Sequence, residues 1–249
     1  MYVYVYDETL EDRRHERERE ALDTRLTDLE ITGKVLRLAQ VRDAIQAMRK
    51  EIREGATTLV AVGTEHTLRR AIEAVGDSRV VVAFLPVGEQ SKLAELLGIP
   101  TGIAACDILS HRLVEEMDLG EVNGRRFLHV ATMDFTGCVM QCDQLYTLTP
   151  LRRGQLEIRN LAWPDDIAIT NPADEKLSFV IRLPRLSLFK KKADVSVVPL
   201  RRARIFCPSP RVMDVDGEKV EAQEFDIRTI PQRLRLVVSK DRKYAEALS

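Results

Sequence analysis

The sequence predicts an α/β domain on a doubly wound parallel sheet over residues 1–115, followed by an antiparallel β domain over residues 116–249. Three observations carry this. Apolar, β-branched runs at 2–6, 35–38, 58–62 and 80–85 alternate with segments of helical periodicity, the pattern of βαβ units. The run at 80–85, VVVAFL, is continuously apolar, as strands buried on both faces of a parallel sheet are. From about Met117 helical periodicity fades and short β-rich runs with turn residues take over at 126–132, 155–159, 178–183, 195–198 and 234–238.

The elements follow in order. Residues 2–6 alternate tyrosine and valine, as a strand does. In the charged segment 8–30, Leu22, Leu26 and Leu29 recur at helical spacing. The run RRHERERE within it reads as a solvated helix face of opposite charges, with His15 exposed. Gly33-Lys34 leads into the strand at 35–38. Val41, Ala44, Ile45, Met48 and Ile52 then mark an amphipathic helix stopped by Gly55. Residues 58–62 form a buried strand, turned at Gly63 into a helix carrying Leu68, Ile72 and Val75. After the run at 80–85, the loop 86–92 opens onto a helix at 93–98. Residues 241–248 read as a short helix packing back on the first domain.

Composition sets limits on function. With 45% hydrophobic and 31% charged residues in 249, the chain reads as folded and globular. A formal net charge of −1 offers no global electrostatic case for nucleic acid. Cys106, Cys138, Cys142 and Cys207 form neither a disulfide framework nor a paired zinc pattern, and read as reduced buried thiols. MYVYVYDETL lacks the basic start and apolar core of a signal peptide, and no apolar run approaches the roughly 18 residues of a membrane span. A cytoplasmic protein is expected.

Two loops carry the candidate chemistry. Gly63-Thr64-Glu65-His66-Thr67 joins a strand to a helix, where a glycine admits close backbone approach and the helix start attracts an anion. Thr64 or Thr67 serves equally well as a plain N-cap there. Gly88 opens a second loop at the same carboxyl edge. Together the loops suit a nucleotide.

The order of motifs resembles the diacylglycerol kinase-like lipid kinases. The family pattern GGDGT aligns with Gly63 to Thr67. Its PxGTxND segment, leading to a helix ending LGIP, aligns with Pro86 to Lys92 and Leu97-Gly98-Ile99-Pro100. Asp118-Leu119-Gly120, Asn123-Gly124 and Phe127 look like its second-domain hairpin, and Asp216-Gly217-Glu218 matches its DGE. The resemblance implies a nucleotide domain over 1–115, a β-sandwich over 116–249, and phosphorylation of a lipid or small alcohol with ATP and Mg²⁺. It implies that Gly63, Thr67 and Gly88 hold phosphate with Thr64 beside them, that Glu65 positions nucleotide or metal, and that Asp216 is the base with Glu218 alongside. Departures are concentrated in the motifs: Thr64 and His66 replace glycines, Glu65 an aspartate, and Glu89, Ser91 and Lys92 the Thr and Asn-Asp. Asp7-Glu8-Thr9 stands where an Asn-Pro turn is usual, and Asp134-Phe135-Thr136 where a GFD-like turn is. A catalytically inactive binding or regulatory module on the same fold is the alternative, and an NAD kinase-like enzyme shares only the first glycine motif.

Two features keep two readings. Asp216-Gly217 is also a common hairpin turn, so that 212–220 reads as a plain β-hairpin. The segment 182–204 holds Arg182, Arg185, Lys190, Lys191, Lys192, Arg201, Arg202 and Arg204 against Asp194, with Leu186, Leu188 and Phe189 alongside. It suits peripheral docking on the anionic inner membrane surface, at about 1 kcal/mol per basic residue, or ordinary strand ends balancing acidic regions.

Overall fold

β1 (Tyr2–Tyr6) lies inside the sheet that opens the chain, because its alternating tyrosines and valines are buried on both faces. Helix α1 (Glu16–Asp28) follows it, burying Leu22 and Leu26, and the chain returns through β2 (Lys34–Arg37), parallel to β1. Helix α2 (Ala44–Arg53) starts where the Asp43 carboxylate accepts the Gln46 N–H at 3.0 Å. β3 (Thr58–Gly63) then pairs with the other edge of β1, and helix α3 (Glu65–Val75) leads to β4 (Val81–Pro86) beside β3. Helices α4 (Lys92–Leu96) and α5 (Ala104–His111) close the segment. The strand order β2-β1-β3-β4 is parallel throughout and reverses direction at β1, so a crevice opens between the carboxyl ends of β1 and β3.

The computed structural model describes residues 1–88, 91–150, 152–163, 171–184 and 194–244. The chain divides into two compact units, Met1–Met117 with Arg233–Lys243, and Asp118–Gln232. The returning segment completes the first unit: Arg235 and Leu236 pair in parallel with Val81 and Val82 of β4. Beyond it, Ser239 N–H donates to Leu97 O at 3.1 Å and Lys243 N–H to Leu96 O at 2.8 Å. Asp241 to Tyr244 form a turn and bend rather than the expected helix start; 245–248 lie outside the described residues. The turn is held by those backbone bonds, and the Gly98 position has no room for a Cβ, which would meet Asp241 backbone at 2.7 Å.

The second unit is an antiparallel β domain. After β5 (Val114–Val122) come β6 (Arg125–Phe127), β7 (Val130–Asp134), β8 (Val139–Cys142), β9 (Tyr146–Leu148) and β10 (Gln155–Arg159). β11 (Leu177–Leu183), β12 (Asp194–Leu200), β13 (Arg202–Val215) and β14 (Glu218–Val237) complete it, with the order β12-β11-β10-β7-β13-β14. β13 pairs with β8 over Ala203 to Phe206, then with β7 over Met213 to Val215; its pairing with β14 slips register between Phe206 and Arg211. That irregularity is the corner by which one strand serves two sets of neighbours, as a sandwich requires. Phe127, Phe135, Phe179 and Phe225 fill the core with Met140, Met213, Leu156 and Ile158. The β5–β6 hairpin turns at Asn123-Gly124, both left-handed at φ 49° and 84°. Opposite Phe127, Gly120 leaves room for the ring, which a Cβ would overlap.

Candidate functional site

A cleft of about 430 Å³ opens outside the carboxyl ends of the first unit's strands. It is lined by Thr9, Arg14 and His15 after β1, by Gly63, Thr64 and Glu65 after β3, and by Val87, Gly88 and Ser91 after β4. Four of the five predicted binding residues, Gly63, Thr64, Glu65 and Gly88, thus share one cavity; Thr67 is buried in α3. His15, expected to be solvated, is half-buried in this lining. Its Cε1 lies 3.4 Å from where a Gly88 Cβ would be, and its Nδ1 lies 3.5 Å from Glu18. A charged run looks uniformly exposed in sequence, yet the start of α1 faces the loop after β4.

The floor of the cleft is organised by Asp7, a residue sequence reasoning noted only as a departure from a turn. Its Oδ2 accepts the hydroxyls of Thr64 and Thr67, each at 2.6 Å. Its Oδ1 accepts Thr9 N–H at 2.9 Å and the Thr9 hydroxyl at 2.8 Å. Burial alone would raise the pKa of Asp7, but these donors outweigh it and hold the carboxyl down at about 2. Gly63 sits directly on this residue, at φ 129°, where an added Cβ would overlap Asp7 Cβ. Thr64 occupies the N-cap position of α3 without a side-chain cap bond, its hydroxyl being committed to Asp7.

Glu65 reaches across the cleft. Its Oε1 accepts the Ser91 hydroxyl at 2.5 Å and Leu93 N–H at 3.2 Å, so a carboxylate occupies the start of α4. Ser91 in turn caps α4 by accepting Ala94 N–H at 2.9 Å. The Glu65 carboxylate therefore engages the donors at the start of α4. Among the described residues no cluster of three or more His, Cys, Asp or Glu is arranged to hold a metal ion.

Asp216 and Glu218 lie in the second unit, on the β13–β14 hairpin. Val215 and Glu218 are paired across Asp216-Gly217, both left-handed at φ 48° and 87°, a two-residue turn. The Asp216 carboxylate points inward: Oδ2 accepts Leu128 N–H at 2.7 Å and His129 N–H at 3.2 Å, and Oδ1 accepts Val130 N–H at 2.8 Å. Burial pushes its pKa up against the pull of these donors. The same bonds explain why the strand expected over 126–132 divides into β6 and β7: its middle amides turn to a side chain. Glu218 pairs with Arg125 at the surface.

Three described members of the basic segment have carboxylate partners. Arg182 pairs with Glu157 at 2.9 Å, Arg201 with Glu175 at 3.0 Å and Arg202 with Asp226 at 2.8 Å. Arg185, Leu186, Leu188, Phe189, Lys190, Lys191 and Lys192 lie outside the described residues, as do Glu89 and Gln90. No helix among the described residues is long and apolar enough to cross a membrane.

A parallel α/β unit with a glycine-lined crevice at its switch point, in a chain that also builds an antiparallel β unit, is the arrangement of the lipid kinase fold. Comparison with known proteins agrees. Residues 5–122 match the family described as the diacylglycerol kinase catalytic domain. It is 39% identical over 95 residues to a "Probable lipid kinase YegS-like" of Pseudomonas aeruginosa, covering 37% of this chain and 32% of that one. It is 27% identical over 93 residues to a "Diacylglycerol kinase" of Bacillus subtilis, covering 36% and 31%. The matches thus span about a third of these relatives' length. The fold is similar to that of a diacylglycerol kinase from Bacillus anthracis, with a TM-score of 0.79 over 97% of both chains at 14% identity.

Proposed function

We propose that this chain keeps the cleft of a lipid kinase but works as a binding or regulatory module, with its own carboxylates standing where a metal–triphosphate would be held. The observation that carries the reading is Glu65, whose Oε1 takes the Ser91 hydroxyl and Leu93 N–H at the start of α4. A further anion brought to about 4 Å from that carboxylate meets a repulsion of about 4 kcal/mol per unit charge at an effective dielectric of about 20. That is roughly a thousandfold in affinity. Thr64 and Thr67 donate to Asp7 and so do not face a phosphate, and Asp216 is engaged by backbone amides. As they stand, these residues do not fit ATP with Mg²⁺. The test is incubation of the purified protein with Mg²⁺-ATP and vesicles containing diacylglycerol. The expected result is no phosphorylated lipid above a protein-free control; steady turnover that Gly88→Arg abolishes would overturn it.

A second reading, ATP-dependent phosphorylation of a lipid or small alcohol, is favoured by the similarity to proteins named as lipid kinases. On it Gly63 and Gly88 admit a nucleotide once Glu65 swings away, Asp216 acts as the base with Glu218 beside it, and the segment 182–204 rests on an anionic membrane surface. It requires Asp216→Asn to stop turnover while the protein stays folded.

A further inference from the structure

Cys138 and Cys207 are 69 residues apart in sequence, yet their Sγ atoms lie 2.7 Å from one another. The local fold places them there. β8 and β13 pair antiparallel with Val139 opposite Phe206, and one step further along that register sets Cys138 opposite Cys207. Two features of the backbone hold this step. Gly137, left-handed at φ 72°, turns the chain into β8, and the irregularity after Phe206 bends β13. Both thiols are buried, Cys138 completely and Cys207 with 5% exposure, in the main core of the second unit. The other two cysteines, Cys106 and Cys142, are buried as well, and Cys142 directs its thiol to Met140 O at 3.8 Å.

We infer that Cys138 and Cys207 form a reversible cross-strand disulfide, a redox modification site tying β8 to β13 in the second unit. The two thiols already lie against one another, as a disulfide between them requires. The oxidant is a hydroperoxide or a small-molecule disulfide. With hydrogen peroxide, the Cys207 sulfur, the more accessible of the two, attacks one peroxide oxygen as the O–O bond breaks, giving a sulfenic acid and one water. The Cys138 sulfur then attacks that sulfenic sulfur, losing its proton as the S–O bond breaks and a second water leaves. The two sulfurs lose two electrons together, and the peroxide gains them. Burial and the neighbouring Cys138 push the Cys207 thiol up to about 12, so the thiolate is scarce at neutral pH and the step is slow there.

The experiment treats the folded chain with hydrogen peroxide, quenches with an alkylating agent under denaturing conditions, and maps the cysteine peptides by mass spectrometry. A single linked species is expected, joining the peptides of Cys138 and Cys207 and lighter by two hydrogens, with Cys106 and Cys142 alkylated. Dithiothreitol restores four free thiols, and the oxidised form melts several degrees higher, because the bridge closes a long loop in the unfolded chain. Cys142→Ser leaves the bridge intact and Cys138→Ser removes it. Mapping of the unsubstituted chain decides the matter even if Cys138→Ser fails to fold. Recovery of Cys138 and Cys207 as separate alkylated or over-oxidised peptides, or a bridge using Cys142, would overturn the inference.

Discussion

Replacing Asp7 with asparagine isolates the network under the candidate cleft. The Asp7 carboxyl falls from an ordinary 3.8 to about 2 because three threonines donate to it. At about 1.4 kcal/mol per pH unit, that difference corresponds to roughly 2 kcal/mol of native-state stability at neutral pH. The sign follows from the folded value lying below the unfolded one. The contribution is complete above about pH 4 and is lost as pH falls through about 2, where both states are protonated. Asparagine keeps one acceptor oxygen but turns an NH₂ towards donors, and it does not titrate. Urea unfolding of both proteins at intervals from pH 7 to pH 3 is the assay, since other carboxylates cancel in the difference. The unsubstituted protein is expected to be more stable by about 2 kcal/mol at neutral pH, with the gap narrowing below pH 4. A gap that stays constant with pH, or no gap at pH 7, would refute the network as the source of the low pKa.

Three further pairs of substitutions are compared by urea unfolding. Gly63→Ala, at φ 129° with Asp7 against it, should cost about 2–3 kcal/mol, whereas Gly55→Ala, at φ 100° with open space, should cost about 1. Equal costs would remove Asp7 from the explanation. Gly120→Ala should cost about 2–3 kcal/mol, and adding Phe127→Leu should recover part of it, because the Phe127 ring occupies the space of the new methyl. Asp216→Asn should destabilise by about 1–3 kcal/mol by setting an amide against backbone N–H donors, while Glu218→Gln, losing only its surface pair with Arg125, should cost under about 1. An Asp216→Asn protein of unchanged stability would free that carboxylate for another role.

The parallel architecture was legible because its signals are local: continuous apolar strands, a glycine after the strand at 58–62, helical repeats between. The turn at Asp216-Gly217 was legible for the same reason, since left-handed turn residues announce themselves, whereas the hairpin at Asn123-Gly124 was legible through the family resemblance. Helix α5 was not, because its eight residues, AACDILSH, between Gly102 and Arg112 make too few turns for a period to register. The chemistry of the cleft was readable only as a set of candidates. Thr64 and Thr67 belong to a stretch of sequence that fits phosphate or a cap, and what decides their role is Asp7, 57 and 60 residues away. Glu65 and Ser91 meet over 26 residues, and Cys138 finds Cys207 rather than its near neighbour Cys142. Each of these is a tertiary contact between ordinary residues, which no spacing rule encodes.

In the function we propose, the cleft is retained but closed to a metal–triphosphate by Glu65. Thermal unfolding with and without millimolar Mg²⁺-ATP tests it most directly, run on the unsubstituted chain, on Glu65→Ala and on Gly88→Arg. Gly88 is the better control than Gly63, because a side chain there enters the cleft without striking Asp7. A ligand at 100 times its dissociation constant stabilises by about 2.7 kcal/mol, a shift of several degrees. No shift is expected for the unsubstituted chain, and an upward shift for Glu65→Ala. An upward shift in the unsubstituted chain that Gly88→Arg removes would contradict it.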